Sequence, residues 1–566
     1  MTAEHEPRPP ARPETNQALE TGRNRLVLVA ALFALAFAVI AGRLVDLTVL
    51  RGNGGEPALG RDLAAATPPA RRDIMDRRGV LLATNLTTAS LYARPAKVLD
   101  VQEAARRLAA VLPELDAQAV AAKLATTRGF VWIKRHLTPR QQYRVNALGL
   151  PGLGFQRESR RIYPHGNLFA HVLGYTGVDN RGLAGLEKHF DEELAGGGGG
   201  EADQPLRLGL DTRVQHVLHG ELNRALEEFR ARGASGLVLD VDSAEVVALV
   251  SLPDFDPNRL NVASAEARFN RATLGVYEMG STFKALTVAM ALEAGVGLNQ
   301  GFDARKPIRV ARFTIRDDHA KARWLTLPEI FIYSSNIGAA KMALKVGTKS
   351  QRQFLGDLGL LQRAAIELPE VGMPLVPRPW REISTMTVAF GHGVAVSPLQ
   401  LANAVAALIN GGLMRTPTLL AREGEVPGRR VVSRRTSDVM RWLMRLNVEQ
   451  GTGKKAAAPG YLVGGKTGSA EKVAAGGYRQ RALLSSFVGA FPMKQPRYVV
   501  LAVLDEPQGR PETFGYATGG WTAAPVVGRV IARAGPLLGI GKTVDETPDT
   551  ASYVSFKQTA GRRATF

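Results

Sequence analysis

The sequence contains no cysteine. That absence excludes disulfide scaffolds, cysteine-ligated zinc, iron–sulfur clusters and a cysteine nucleophile. Its nine histidines are scattered and form no HExxH pattern, so no metal site is expected. Acidic residues are in deficit, 52 Asp+Glu against 72 Lys+Arg, for a net charge of +20. No run of Lys and Arg interleaved with aromatics accompanies the excess, and no zinc-finger or RNP pattern occurs, which argues against nucleic acid as a partner. The excess suits an anionic membrane surface or a polyanionic wall, or reflects only a composition in which Arg is favoured. Long apolar runs are scarce as well. Only one stretch, near the N-terminus, approaches the length of a bilayer span.

What is present is ordinary globular composition, 45% hydrophobic and 22% charged over 566 residues, enough for two or three domains. Residues 1–25 are polar, carry Pro7, Pro9, Pro10 and Pro13, and have a disordered composition. Leu26 to Gly42 then runs without a charge. Arg43 can snorkel, so that Leu44 and Val45 extend the run to about 20 residues, the length of a transmembrane helix. Arg23 and Arg25 precede it directly, which places the N-terminus in the cytoplasm. Ala36-Phe37-Ala38 resembles a signal-peptide cleavage site but lies inside the apolar run. An uncleaved single-pass anchor over 26–46 is therefore expected, with the rest of the chain exported. A cysteine-free chain is compatible with a periplasm.

Residues 47–205 read as a mixed α/β domain, with helical patterns at Val101–Leu112 and Ala117–Leu124 and a flexible break at Gly196–Gly200. A second domain, 206–540, begins with two strands, Gly236–Val241 and Val246–Val250. It ends with another pair, Ala482–Phe491 and Tyr498–Leu504. Helical stretches lie between them, so one α/β domain is expected whose sheet is closed by distant segments. Residues 541–566 form a polar tail.

Three short motifs carry the chemistry. Ser281-Thr-Phe-Lys284 is an SxxK at the start of an apolar helical run, which puts both side chains on one face. A lysine kept neutral there can take the serine proton, and the helix start favours developing negative charge. Ser334-Ser-Asn336 is an SxN whose hydroxyl can relay protons and whose amide can hold both a lysine and a substrate amide. Lys466-Thr467-Gly468, continued by Ser469, offers a cation and hydroxyls on an edge strand, suited to a carboxylate.

Each motif alone is weak, yet their order and wide spacing are specific. SxxK, SxN and KTG in succession are the triplet of penicillin-binding proteins and serine β-lactamases. Over nearly its whole length the chain resembles a class B penicillin-binding protein. Arg72 to Gly79 (RDIMDRRG), Arg161 to Pro164, Gly174-Tyr175 and Gly182 to Glu187 resemble that family's N-terminal blocks, and Asp254 to Asn258 and Ser397 to Leu401 its transpeptidase landmarks. Phe390-Gly-His-Gly393 before Ser397-Pro398 is closer to the septal, cell-division subclass than to the elongation subclass.

The resemblance implies an anchored, elongated mixed α/β pedestal and a transpeptidase domain with a mostly antiparallel sheet flanked by helices. It makes Ser281 the nucleophile, Lys284 its general base, and Ser334 with Asn336 the proton relay and substrate-amide contact. Lys466, Thr467, Gly468 and Ser469 become the site for a substrate or penicillin carboxylate, and the backbone N–H groups of Ser281 and Ser469 an oxyanion hole. Implied partners are lipid-linked peptidoglycan precursor, stem peptides, a polytopic septal glycosyltransferase, other division proteins, the membrane and β-lactam inhibitors. No cofactor is implied. Four positions depart from the family pattern: Asp73 for Gly, Met279 for Pro, His392 for Tyr and Ser469 for Thr.

Other readings stay open at this point. An elongation-type transpeptidase, a D,D-carboxypeptidase, a β-lactamase or an inactive division scaffold would share the fold. Gly460 to Thr467 also fits G-x-x-x-x-G-K-[ST], with Val499 to Glu506 resembling an acidic metal-binding strand, the signature of an ATPase. Against that reading, the segment from Ser469 breaks within about two turns, where a phosphate loop should open a helix.

Overall fold

The computed structural model describes residues 14–45, 71–196, 204–310, 313–474 and 477–542. A helix runs over Glu14–Val45, beginning inside the segment expected to be disordered. It starts directly after Pro13, beyond which good helix formers such as Gln17, Ala18, Leu19 and Glu20 continue without a break. Its described side chains run from Val27 to Gly42 and are all exposed. Among the described residues no helix is long and apolar enough to cross a membrane. Residues 46–70, the glycines 197–200 and the tail beyond 542 lie outside the described residues.

The remainder divides into two compact units, one holding Thr88–Glu158 and the other Pro69–Thr87 with Ser159–Phe566. In the first, the end of strand Leu81–Ala93 pairs antiparallel with Val131–Leu137, Ala93 facing Val131. Helices Val101–Val111 and Ala117–Leu124 stand where the sequence pattern puts them. Each starts at an aspartate, Asp100 or Asp116, whose carboxylate accepts the N–H three residues on, at 2.9 and 2.7 Å. Leu91, Leu108, Leu112, Leu124 and Ile133 form the core of this unit.

In the second unit, helix α1 (Thr212–Glu228) precedes strands β1 (Gly233–Asp240) and β2 (Val246–Leu252). Helices α2 (Lys284–Glu293), α3 (Asn336–Val346), α4 (Pro398–Ile409) and α5 (Arg434–Glu449) follow. Strands β3 (Gly464–Ala474), β4 (Gly477–Phe491) and β5 (Tyr498–Asp505) and helix α6 (Ala523–Leu537) complete it. The sheet order is β3-β4-β5-β1-β2, antiparallel throughout. Strands β5 and β1 pair with Val500 opposite Val238, so the distant ends of the domain do close one sheet.

Antiparallel sheets usually alternate apolar and polar residues because one face meets water. Here β1, β2 and β5 are buried at every position. Along β5, Val499, Leu501 and Val503 join one core, and Tyr498, Val500, Ala502 and Leu504 join another. Helices α1 and α6 cover the second face, and α4 lies on the first. Helix α4 is buried along its whole length, which its composition (PLQLANAVAALI) permits. Its start is fixed by Ser397 and Gln400, which cap each other's backbone, with Pro398 at the first position.

The family-like blocks near the start of this unit are structural. Asp76 accepts the N–H and hydroxyl of Thr212 at 3.1 and 2.7 Å, closing the start of α1. Asp73 is not among the residues with positive φ, so the side chain that replaces glycine there meets no backbone strain. Glu187 lies between two arginines, Arg71 at 2.9 Å and Arg161 at 2.6 Å, all three side chains being essentially inaccessible. Asn258 grips Tyr163 through its backbone N–H and carbonyl. Glu187→Gln is expected to destabilise this unit by about 3–5 kcal/mol, because it leaves the buried Arg161 guanidinium without a carboxylate, while Arg71 keeps Asp191 at 2.6 Å. Urea denaturation checks this, and an unchanged midpoint would refute it.

Candidate active site

Ser281 does not start an α-helix directly. Residues Gly280–Phe283 form a 3₁₀ turn, and α2 begins at Lys284. With three residues per turn, side chains at i and i+3 eclipse, which stacks Ser281 and Lys284 more closely than α geometry does. The Lys284 Nζ donates to Ser281 Oγ at 2.8 Å. It also donates to the Ser334 carbonyl at 2.7 Å, Ser334 Oγ at 3.1 Å and Asn336 Oδ1 at 2.7 Å. The SxxK and SxN motifs, far apart in sequence, therefore meet at one amine.

The third motif arrives on β3, an edge strand of the sheet. Lys466 Nζ donates to Ser334 Oγ at 3.0 Å, and Thr467 Oγ1 shares a 2.7 Å hydrogen bond with Thr452 Oγ1. Ser334 Oγ thus stands between two lysines. Gly468 has no room for a side chain: a Cβ there would lie 2.4 Å from Ser486 Oγ and 2.5 Å from the Met279 carbonyl. This close approach seats β3 against the turn that carries Ser281. Ser469 Oγ accepts the Gly519 N–H at 3.0 Å. Met279, two residues before Ser281, is buried, and His392 packs on the Phe390 ring at 5.2 Å.

Both lysines are fully buried. Burial lowers the Lys284 amine to about 7, against the opposing pull of the Asp317 and Asp318 carboxylates. Burial likewise holds Lys466 well below the usual lysine range, and the Lys284 charge pushes it further down. A lysine poised near neutrality, 2.8 Å from a half-buried hydroxyl, has the geometry of a base activating a nucleophile.

Ser334 has φ +58°, the left-handed region that a non-glycine residue occupies only when its surroundings enforce it. Asp317 is part of that enforcement. It accepts the Ser335 hydroxyl at 2.7 Å and the Ile337 N–H at 2.9 Å, while Asn336 Nδ2 donates to the Arg316 carbonyl at 2.8 Å. Ser335 caps α3 in turn, accepting from Gly338. Neither Asp317 nor Thr452 was marked by any motif. Asp317 meets Ser335 18 residues on and Thr452 meets Thr467 15 residues on, and no short pattern encodes either pairing.

The phosphate-loop reading fails here. Lys466 and Thr467 lie within a paired strand, opposite Val488 and Phe487, where no backbone cradle can form. Asp505, its supposed metal ligand, is ion-paired with Lys472 at 2.8 Å.

Known proteins share both the sequence and the fold. The penicillin-binding protein transpeptidase domain matches residues 234–532, and the penicillin-binding protein dimerisation domain matches 66–217. The probable peptidoglycan D,D-transpeptidase FtsI of Caulobacter vibrioides is 41% identical, covering 96% of this chain and 93% of its own length. The peptidoglycan D,D-transpeptidase FtsI of Escherichia coli is 30% identical, over 93% and 92%. Penicillin-binding protein 3 of Mycobacterium tuberculosis, solved in complex with aztreonam, superposes with a TM-score of 0.67 at 23% identity, over 84% of this chain and 98% of that one. The chain belongs to the class B penicillin-binding proteins, which join a dimerisation domain to a transpeptidase domain.

Proposed function

We propose that this chain is a peptidoglycan D,D-transpeptidase of septal cell-wall synthesis, working through an acyl-serine intermediate and inhibited by β-lactams. The observation that carries the reading is the Lys284 amine, buried, lowered to about 7 and 2.8 Å from Ser281 Oγ. Ser281 Oγ attacks the carbonyl of the penultimate D-Ala while its proton passes to Lys284. The peptide C–N bond breaks, and the departing D-Ala amine receives that proton through Ser334 Oγ, 3.1 Å from Lys284. An acceptor amine then attacks the ester, returning a proton along the same path and freeing Ser281. Backbone N–H groups of Ser281 and Ser469 face the oxyanion, each contributing roughly 3–4 kcal/mol in comparable acyl transfer. Thr467 and Ser469 take the terminal carboxylate, with Lys466 behind them and Asn336 on the substrate amide.

The same reading extends to the rest of the chain. Residues 26–46 are the membrane anchor, with 1–25 cytoplasmic and the domains 47–205 and 206–540 in the periplasm, followed by a tail at 541–566. Support comes from the charge-free run Leu26 to Gly42 and from its exposed apolar side chains, such as Phe33, Phe37 and Ile40, which water does not stabilise. The anchor and first domain meet a polytopic septal glycosyltransferase and other division proteins, and lipid-linked precursor supplies the stem peptides.

Intact mass after incubation with a penicillin tests the function. One persistent adduct per chain is expected, mapping to the peptide that contains Ser281. Rapid loss of the adduct would replace transpeptidation with carboxypeptidase or β-lactamase turnover, and no adduct in a folded sample would overturn the acyl-serine reading.

A further inference from the structure

The segment between Arg316 and Arg323 walls the corner that holds Ser334 and Asn336, because Asn336 hangs from the Arg316 carbonyl and Asp317 anchors Ser335 and Ile337. Its outer end carries two cations over one ring. Lys321 Nζ lies 4.7 Å from the centroid of Tyr333, and the Arg323 guanidinium lies 6.0 Å from it. Tyr333 directly precedes Ser334, whose Oγ joins Lys284 and Lys466.

The two cations differ in what holds them. Arg323 is committed to Glu329 at 2.7 Å and to the Trp324 carbonyl at 2.8 Å. Asp317 is occupied by Ser335 and Ile337. Lys321 is exposed, and among the described residues no carboxylate lies within ion-pair distance of it. A ring face holds an ammonium in place without neutralising it, so its charge stays available to a further anion. A flexible lysine fixed in this way loses less side-chain entropy on binding.

We propose that Lys321 is a substrate-binding residue that captures a second carboxylate of the stem peptide, one that lies before the D-Ala-D-Ala terminus. The inference rests on the reading of Ser281 as the acylated nucleophile. It assigns the two carboxylates of one peptide to two different elements of the site. The terminal carboxylate goes to the Thr467–Ser469 strand, and the internal one to the Tyr333 corner. An acidic stem peptide is then preferred over one whose internal carboxylates are amidated.

The test uses the full chain in detergent and two pentapeptides ending in D-Ala-D-Ala, one with free internal carboxylates and one with them amidated. Each competes against a fluorescent penicillin for Ser281, and the ratio of the two inhibition constants is read. Wild type is expected to favour the acidic peptide roughly fivefold, the size of one ion pair at an exposed site. Lys321→Met should abolish the preference, and Lys321→Arg should restore it. A purely structural role through Tyr333 would weaken both peptides equally and leave the ratio intact, which overturns the proposal. So does a wild type that binds both peptides alike. If wild type takes up no fluorescent penicillin at all, the acyl-serine reading fails first, and that outcome is seen separately from the ratio.

Discussion

Ser281→Ala is expected to leave no penicillin-derived mass on the chain, while its denaturation midpoint shifts by no more than about 0.5 kcal/mol. The stability half of this expectation follows from the site's hydrogen bonds. Ser281 is half-buried and its Oγ accepts one bond, from Lys284. When it is removed, Lys284 keeps the Ser334 carbonyl, Ser334 Oγ and Asn336 Oδ1, so no buried amine is left without partners. The chemical half follows because an acyl adduct needs an oxygen nucleophile beside a base. Ser334 Oγ, 3.1 Å from the same amine, is the only other hydroxyl bonded to it among the described residues. It lies within hydrogen-bond distance of two lysines, on a residue with φ +58°, and under the proposed mechanism it relays protons and is not the nucleophile. Intact mass combined with peptide mapping separates the two serines. An adduct that persists in the variant and maps to Ser334 would overturn the assignment of the nucleophile.

The triplet was legible because catalysis demands fixed residue types at short local spacing. SxxK, SxN and KTG each survive as a few adjacent letters, and the structure brings them to one point around Ser334 Oγ. Strands β1, β2 and β5 were legible for another reason: a sheet buried on both faces writes an unbroken apolar run. The 3₁₀ turn at Gly280–Phe283 was not legible, since an SxxK fits either helix and the choice depends on packing. Gly280 must have φ +54° and lies where a Cβ would be 2.4 Å from the Ser469 carbonyl, a constraint set by a strand almost two hundred residues later. Asp317 and Thr452 escaped because they position the site through partners distant in sequence. The phosphate-loop pattern at Gly460 to Thr467 misled in the opposite direction. Gly464 and Gly465 fit β3 against the Met493 and Phe487 side chains, so these letters satisfy close packing and no phosphate. The start of the N-terminal helix at Glu14 was missed because the prolines up to Pro13 dominated the composition of the whole segment.

Lys284→Met is expected to slow acylation of Ser281 by about 10²–10⁴-fold, the range for removing a positioned general base. Methionine keeps the length and apolar body of the side chain, so the site stays filled while the proton acceptor is gone. The pH dependence identifies the same group. In the folded chain Lys284 titrates at about 7, against an ordinary value of 10.5, because burial disfavours its charge. The acylation rate of wild type should therefore rise with pH through about 7, as the amine loses its proton and becomes a base, and then level off. In the variant it should be low and show no inflection there. Stability carries the complementary sign. Between about 7 and 10.5 the unfolded chain holds a proton at Lys284 that the folded chain has released, so stability climbs with pH across that window. Below about 7 both states are protonated, and the dependence from this residue vanishes. Lys466, also lowered by burial, adds in the same direction, so part of the climb persists in Lys284→Met while the kinetic inflection does not. Stopped-flow acylation across pH 5.5 to 9, beside urea midpoints at the same pH values, measures both. A wild-type rate that is flat through pH 7, or a methionine variant within tenfold of wild type, would assign the base to another group, and Lys466 acting through Ser334 Oγ is the next amine in the site.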